Sequence, residues 1–394
     1  MKKRILFITG TRADFGKLKP LISGLDKIDD FEVHLFVTGM HMLKRHGYTY
    51  LEVYKCGFQN INVFLFQNHV SNYSTEMDLI LASTIQGLGN YIREFRPDMI
   101  VVHGDRVEAL AGAIVGSINN ILTAHIEGGE LSGTVDELIR HSVSKLSHLH
   151  FVANEEAFKR LVQMGENPDS IYEIGSPDID IMLSNELPEF EETADRYKIP
   201  FDDYNILIYH PVTTEIKKIK KNISEVIEAV IKSDKNYIVI EPNNDTGSDV
   251  ILEAYEELRD NPKFRIFPSI RFEHFLTLLK NAECIIGNSS VGIREAPVYG
   301  IPTINIGTRQ NKRFKHSSIV DVNEDSHKII NALNSIPENI EQSLYFGQGN
   351  SADLFIKNLL NPILWDTSYQ KGFIDIPDNV GMENYNGINA AKAV

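Results

Sequence analysis

The sequence holds little of what marks a membrane, secreted or metal-dependent protein. No apolar run reaches the roughly 18 residues that a transmembrane helix needs. The stretch Met1–Ile8 begins basic and turns apolar, but it is too short for a signal peptide and runs directly into Gly10-Thr11-Arg12-Ala13-Asp14. It reads as a first strand. The only cysteines are Cys56 and Cys284. They cannot build a disulfide framework, and the Cys/His spacings of a metal site are missing, so a cytoplasmic protein without a metal is expected. Basic residues are outnumbered, 39 Lys and Arg against 54 Asp and Glu, for a net charge of −15. That balance excludes nucleic acid as the main partner, although local arginines and helix N-termini can still hold phosphate. Neither G-x-G-x-x-G nor a Walker pattern occurs, which disfavours the ordinary dinucleotide and ATP sites. Low-complexity tracts and short repeats are absent.

What is present is a hydrophobic content of 42% over 394 residues, a soluble globular composition on a chain long enough for two domains. Short apolar runs alternate with helix-like segments. Strands are expected at Ile5–Thr9, Phe31–Thr38, Met99–Val102, Ile121–Ala124, Leu149–Ala153 and Ile171–Ile174. Helices are expected at Leu18–Leu25, Glu76–Phe95, Glu108–Ser117 and Glu155–Met164. Around Asn185–Phe201 the pattern loosens and turns acidic, which suggests a hinge. It then resumes with strands at Asn205–Tyr209, Tyr237–Ile240, Phe264–Phe267, Cys284–Ile286 and Pro302–Ile306, interleaved with helices. Such alternation implies βαβ units and parallel sheets. The expected fold class is α/β, with two Rossmann-like domains facing across a cleft. The first is placed at residues 1–180 and the second at 181–364. A segment from about 365 to 394, entered through a helix at Asn358–Trp365, is expected to pack back on the first domain. The polar tail from Asp378 shows little periodicity.

Ligands in open α/β sheets bind at the carboxyl ends of strands. Three acidic residues follow such ends: Asp105 after one run, Glu127 after the next, and Asp136 beyond the loop Ser132-Gly133-Thr134, just ahead of Arg140 and His141. Flanking glycines admit a ligand closely. Asp136 also suits a helix cap, Glu127 and Glu130 suit turns, and Asp105 suits a pair with Arg106 or Arg140. Gly10–Gly16, with Arg12 and Asp14, reads as a phosphate-facing loop or a tight turn. Ser289 and Ser290 follow a strand and open a helix, where a phosphate contact and a cap are compatible; Glu295, about one turn in, suits paired ribose hydroxyls. His210 closes a strand and is a candidate for phosphate contact or proton transfer. His103, His125 and His141 are weaker candidates of the same kind. Asn243, Arg271 and Arg309 are further polar residues on loops near the same sheet edge, and Lys217–Lys221 reads as a solvated face.

Taken together, ITGTRADFGKLKP, VTGMHM, HGDRVEAL, HIEGGELSGTVDELIRHSVSKLSH, HPVTTE, PNNDTGS, IGNSSVGIREAP and NIGTRQ resemble the UDP-N-acetylglucosamine 2-epimerases. The likeness is greater to the hydrolysing branch of sialic-acid and capsule biosynthesis, and it runs from Lys3 to about Tyr369. It implies a GT-B-like fold, UDP held mainly by the second domain, no cofactor and no obligatory metal. The substrate partner would be a nucleotide sugar, and a homodimer is expected. Asp105, Glu127 and Asp136 fall on the family's acid/base carboxylates and His210 on its cleft histidine. Arg12, Asp14, Arg140, Asn243, Arg271, Ser289, Ser290, Glu295 and Arg309 fall among substrate-binding positions. The implied reaction converts UDP-N-acetylglucosamine and water to N-acetylmannosamine and UDP through 2-acetamidoglucal. Rival readings are a hydrolysing epimerase of a UDP-2,4-diacetamido-trideoxyhexose, a non-hydrolysing epimerase, a GT-B glycosyltransferase and a UDP-sugar sensor.

Overall fold

The computed structural model describes residues 2–375 except 45–46, 65–76, 133–134, 244 and 337–339. The tail from Asp378 and the loop residues Gly133 and Thr134 therefore lie outside the described residues. Among the described residues no helix is long and apolar enough to cross a membrane.

Two parallel sheets carry the chain. The first contains β1 (Lys3–Thr9), β2 (Phe31–Val37), β3 (Ile61–Val63), β4 (Met99–His103), β5 (Leu122–Ile126), β6 (Leu149–Val152) and β7 (Ile171–Glu173), in the order β3-β2-β1-β4-β5-β6-β7. The second contains β8 (Asn205–Ile208), β9 (Tyr237–Ile240), β10 (Phe264–Phe267), β11 (Cys284–Gly287), β12 (Thr303–Ile306) and β13 (Ile319–Val322), in the order β10-β9-β8-β11-β12-β13. Each sheet reverses its strand order once, between β1 and β4 and between β8 and β11. At such a switch point the loops leave in opposite directions and open a crevice at the carboxyl ends. The central strands are buried on both faces, which is why they are almost wholly apolar.

Several local expectations change. The first helix begins at Arg12 rather than Leu18, because Thr11 caps it by accepting a hydrogen bond from the Asp14 amide at 3.0 Å. The acidic stretch near residue 190 contains a helix, Phe190–Tyr197, which docks through the stacking of Phe190 on Tyr204 at 6.2 Å. Its Glu191 and Glu192 sit in the first turn, where the helix dipole favours them. The short strands β3 and β13 have no counterpart in the expected pattern.

The C-terminal return starts earlier than expected and consists of two helices, Ser351–Leu359 and Pro362–Trp365, because Pro362 opens a new helix capped by Asn361. Phe355 is fully buried against Phe7 and Phe151, with ring centroids at 6.3 and 4.8 Å. Lys371 then donates to the carbonyls of Ser144, Lys145 and Ser147 at the end of the helix that carries Asp136. Truncating Phe355 to alanine removes a ring that joins these helices to the first sheet. Phe355→Ala is expected to lower stability by about 3–5 kcal/mol, measured as a shift of the urea midpoint. An unchanged midpoint would show that the returning helices are not part of the cooperative core.

Candidate active site

The two switch points face one another across a cavity of about 350 Å³ lined by both halves of the chain. In the first half, β1 and β4 run in register, with Phe7 opposite Val101, so their loops leave at the same height. Asp14 accepts from the Gly10 amide at 3.0 Å and faces His103 Nδ1 at 2.8 Å. His103 Nε2 lies 3.1 Å from Glu127 Oε2. Glu127 follows β5 with φ +62°, a left-handed conformation unusual outside glycine. Holding it there costs about 1–3 kcal/mol, which the surroundings must over-determine. Its amide donates to the Phe151 carbonyl at 2.9 Å, and its own carbonyl accepts from Arg140 at 2.6 Å.

Arginines meet each carboxylate. Arg140, on the helix Val135–Leu146, also pairs with Asp105. Arg309 arrives from the second half and reaches Asp136 Oδ2 at 3.3 Å. Arg294, also from the second half, contacts Glu127 Oε1 at 2.7 Å and pairs with Glu130. Lys17 lies between Asp178 and Glu295, at 2.8 and 2.7 Å.

The second half supplies the opposite wall. Gly287, the last residue of β11, has φ +130°, and a Cβ there would lie 1.9 Å from the Ile208 carbonyl oxygen. Only glycine lets β11 pass β8 so closely before the chain turns to Asn288, Ser289 and Ser290. Asn288 locks the end of β8 by accepting from the His210 amide at 2.7 Å and donating to its carbonyl at 2.8 Å. The Asn243 amide donates to His210 Nδ1 at 3.2 Å. The neutral ring therefore carries its proton on Nε2.

These contacts separate the charge states. Burial alone would lower the proton affinity of His103, but Glu127 and Asp14 outweigh it and raise its pKa to about 9. Burial also opposes the charge on Glu127, yet Arg294, His103 and Lys17 hold it well below the usual carboxylate range. Asp105 is likewise penalised by burial, but Arg140, Arg313 and Arg309 hold it at about 2. Burial, Arg309 and Arg106 push His210 well below the ordinary histidine value. Glu295 is raised by burial and by Asp178, against the pull of Lys17. The site thus offers ionised carboxylates, a cationic histidine and, opposite them, a neutral histidine that can donate.

Arg12, Asp14, Asp105, Glu127, Asp136, Arg140, His210, Asn243, Ser289, Ser290, Glu295 and Arg309 all line this one cavity. Arg12 also bridges the halves, donating to Ser269 at 2.9 Å and pairing with Glu52 at 2.6 Å. Arg271 does not line it. Its guanidinium turns to Glu273 at 3.2 Å, two residues on in the chain, and it borders a separate cavity with Lys19. His125 is a packed core histidine, bonded to the Gly104 carbonyl and to Ser144. His141 is partly exposed beside Glu137. Sequence reasoning missed Lys17, Asp178, Arg294 and Arg313. Lys17 was legible as one helical turn beyond Asp14, and Arg294 as the neighbour of Glu295; nothing local marked Asp178 or Arg313. Among the described residues no cluster of three or more His, Cys, Asp or Glu is arranged to hold a metal ion.

A histidine with raised proton affinity stabilises the fold fully below its unfolded value of 6.5, and that contribution is lost as pH rises through about 9. The imidazole ¹⁵N signals of His103 should therefore titrate near pH 9, and stability should decline across the same window. A transition near 6.5 would show that the Asp14 and Glu127 contacts do not hold in solution.

A family model described as UDP-N-acetylglucosamine 2-epimerase matches residues 24–360. A UDP-N-acetylglucosamine 2-epimerase of Neisseria meningitidis serogroup B is 48% identical over 95% of this chain and 99% of its own length. A UDP-N,N'-diacetylbacillosamine 2-epimerase (hydrolyzing) of Legionella pneumophila is 34% identical over 90% and 94%. The crystal structure of a Methanocaldococcus jannaschii enzyme, UDP-GlcNAc 2-epimerase in complex with UDP-GlcNAc and UDP, superposes with a TM-score of 0.74 over 90% of this chain and 99% of that one, at 23% identity. That last likeness bears on the fold alone.

Proposed function

The chain belongs to the UDP-N-acetylglucosamine 2-epimerase family, and on that premise we propose that it is a hydrolysing 2-epimerase converting UDP-N-acetylglucosamine and water to N-acetylmannosamine and UDP, a source of amino sugar for sialic-acid synthesis. One observation carries the reading: the carboxylates Asp105, Glu127 and Asp136 and the donors His210, Arg309, Ser289 and Ser290 line the two walls of one cavity. UDP lies along the second half. The neutral His210 donates from Nε2 to the diphosphate, as do the hydroxyls of Ser289 and Ser290. The unpartnered buried Oε2 of Glu295 supports a contact with the ribose diol.

The C2 hydrogen is not next to a carbonyl and is barely acidic, so departure of UDP has to come first. The C1–O bond breaks and its electron pair leaves with UDP, while ionised carboxylates stabilise the cationic sugar. A carboxylate then takes the C2 proton and the C1=C2 double bond of 2-acetamidoglucal forms. Water adds its hydroxyl at C1, and a proton returns to C2 on the opposite face from the one lost. Glu127 and Asp136 carry the proton transfers in this scheme, and Asp105, clamped by Arg140, assists. Closure of the cleft keeps the glycal from escaping.

The chemistry is shared with a second reading, in which the sugar is a 2,4-diacetamido-trideoxyhexose. The 34% identity to the Legionella pneumophila enzyme supports it. We also propose a cytoplasmic homodimer. The free thiols of Cys56 and Cys284 suit that compartment, and Ile118 and Leu138, each 70% exposed on neighbouring helices, suit a dimer contact.

Proton NMR of the enzyme with UDP-N-acetylglucosamine in D2O is expected to show UDP and N-acetylmannosamine deuterated at C2. UDP-N-acetylmannosamine as product would move the chain to non-hydrolysing chemistry, and turnover of only the diacetamido sugar would select the second reading. Asp136→Asn is expected to lower kcat by roughly 10²–10⁴-fold; unchanged turnover would remove Asp136 from the scheme.

A further inference from the structure

Arg294 belongs to the second half of the chain but spends its charge on the first. It sits in the short helix Val291–Arg294 and is 5% exposed. One terminal nitrogen contacts Glu127 Oε1 at 2.7 Å and Ser176 Oγ at 2.6 Å; the other meets Glu130. The face of Phe346 lies 4.7 Å from the guanidinium carbon and closes one side of the group. A planar guanidinium held this way directs one terminal nitrogen at Glu127 and the other at Glu130 in a fixed fork, which a lysine ammonium does not. The contact uses Oε1 of Glu127 and leaves Oε2 turned to His103 beside the cavity.

We propose that Arg294 is a positioning residue: it crosses from the second half to hold Glu127 as an oriented, ionised carboxylate, and so makes the reactivity of the first half depend on docking of the second. The proposal rests on the hydrolysing-epimerase reading and deepens it. A site whose acid/base carboxylate is completed by the nucleotide-binding half is ready for proton transfer only when the two walls are in place. Glycal formation is then confined to the closed cleft.

The charges facing Glu127 set what removal of Arg294 does. His103 at the end of β4 and Lys17 on the first helix also favour the ionised form, while Asp178 opposes it and Glu130 shares Arg294. Arg140 also favours the ionised form through its charge, although it bonds to the Glu127 backbone carbonyl and pairs with Asp105 rather than with the Glu127 carboxylate. Without Arg294 the proton affinity of Glu127 rises, held in part by His103 and Lys17. The acid limb of the kcat profile moves to higher pH. Removing the charge of Glu130 acts in the opposite sense, because Arg294 then serves Glu127 alone.

The test measures kcat and KM against pH for the wild type and for Arg294→Gln, Arg294→Lys and Glu130→Gln, using the UDP-sugar the wild type turns over. Arg294→Gln is expected to lose roughly tenfold to hundredfold in kcat, with KM within about threefold and the acid limb raised by about one pH unit or more. Arg294→Lys should keep the limb near its wild-type position while recovering only part of kcat, and Glu130→Gln should not raise it. An unmoved acid limb in Arg294→Gln, or a loss expressed mainly in KM, overturns the proposal. Should Arg294→Gln fail to fold, the limbs of the other two variants decide in the same way: a raised limb in Glu130→Gln, or one raised in Arg294→Lys as far as a lost charge would raise it, overturns it. A wild type that releases no free amino sugar defeats the functional reading instead, and the two failures are thereby distinguished.

Discussion

A charge taken out of water must meet an opposite charge, and the central cleft of this chain is built on that requirement. The buried carboxylates Glu127, Glu130 and Asp178 and the buried guanidiniums of Arg140 and Arg294 could not persist singly. Arg294 answers Glu127 and Glu130, Arg140 answers Asp105, and Lys17 answers both Asp178 and Glu295. The pairings do not stay within one half. Arg294 and Arg309 follow strands of the second sheet, and their carboxylates follow strands of the first. Compensation of charge therefore joins the halves at the site, beside apolar contacts such as that of Phe272 with the helix carrying Gly16. Buried pairs of this kind stabilise little against an apolar replacement, but removing one partner is costly. The arrangement is brittle toward single substitutions and specific in geometry.

Sheet topology explains why the charges meet at all. Both sheets reverse strand order once, and the residues that line the cavity come from the strand ends near the reversals and from the loops and helices that follow them. The strand ends supply fixed points. β4 ends in His103, β5 is followed directly by Glu127, β8 is followed by Tyr209 and His210, and β11 ends in Gly287. Loops of such short span carry little conformational freedom, so a donor at a strand end is placed nearly as well as the strand itself. The strain stored at Glu127 is bearable for that reason: its amide and its carbonyl are both fixed by groups belonging to other elements.

This division accounts for what the sequence disclosed. The apolar runs of β1, β4, β5, β8 and β11 stood out because central parallel strands are buried on both faces. The polar residues that follow them were marked as candidates by the same token. The short edge strands β3 and β13, in which Asn62 and Asp321 interrupt the apolar residues, were not read from the sequence. Lys17 and Asp178 were missed for a different reason. Each lies in the first turns of a helix, where a charged residue ordinarily faces solvent or caps the dipole, and only the meeting of helix Arg12–Leu25 with helix Pro177–Met182 turns both inward. Arg271 failed in the converse way. Its loop is near the sheet edge, but Glu273 lies two residues on and captures the side chain.

The two histidines of the cleft show how far partners, rather than residue type, decide chemistry. Each stands at or just past the carboxyl end of a strand beside its sheet's switch point, and each is buried. Burial favours the neutral ring in both. His103 lies between the carboxylates of Asp14 and Glu127 and stays protonated to about pH 9. His210 faces Arg309 and Arg106 and spends its Nδ1 lone pair on the Asn243 amide, so it is neutral well below that. The first can release a proton to its carboxylate neighbour without any net change in the charge of the pair. The second, neutral and with its Nδ1 occupied, has a fixed N–H on Nε2 to offer an anion in the cleft. In the proposed reaction the same buried-charge rule that assembled the cleft would keep proton chemistry on one wall apart from anion release on the other, as an elimination followed by a hydration requires of a single site.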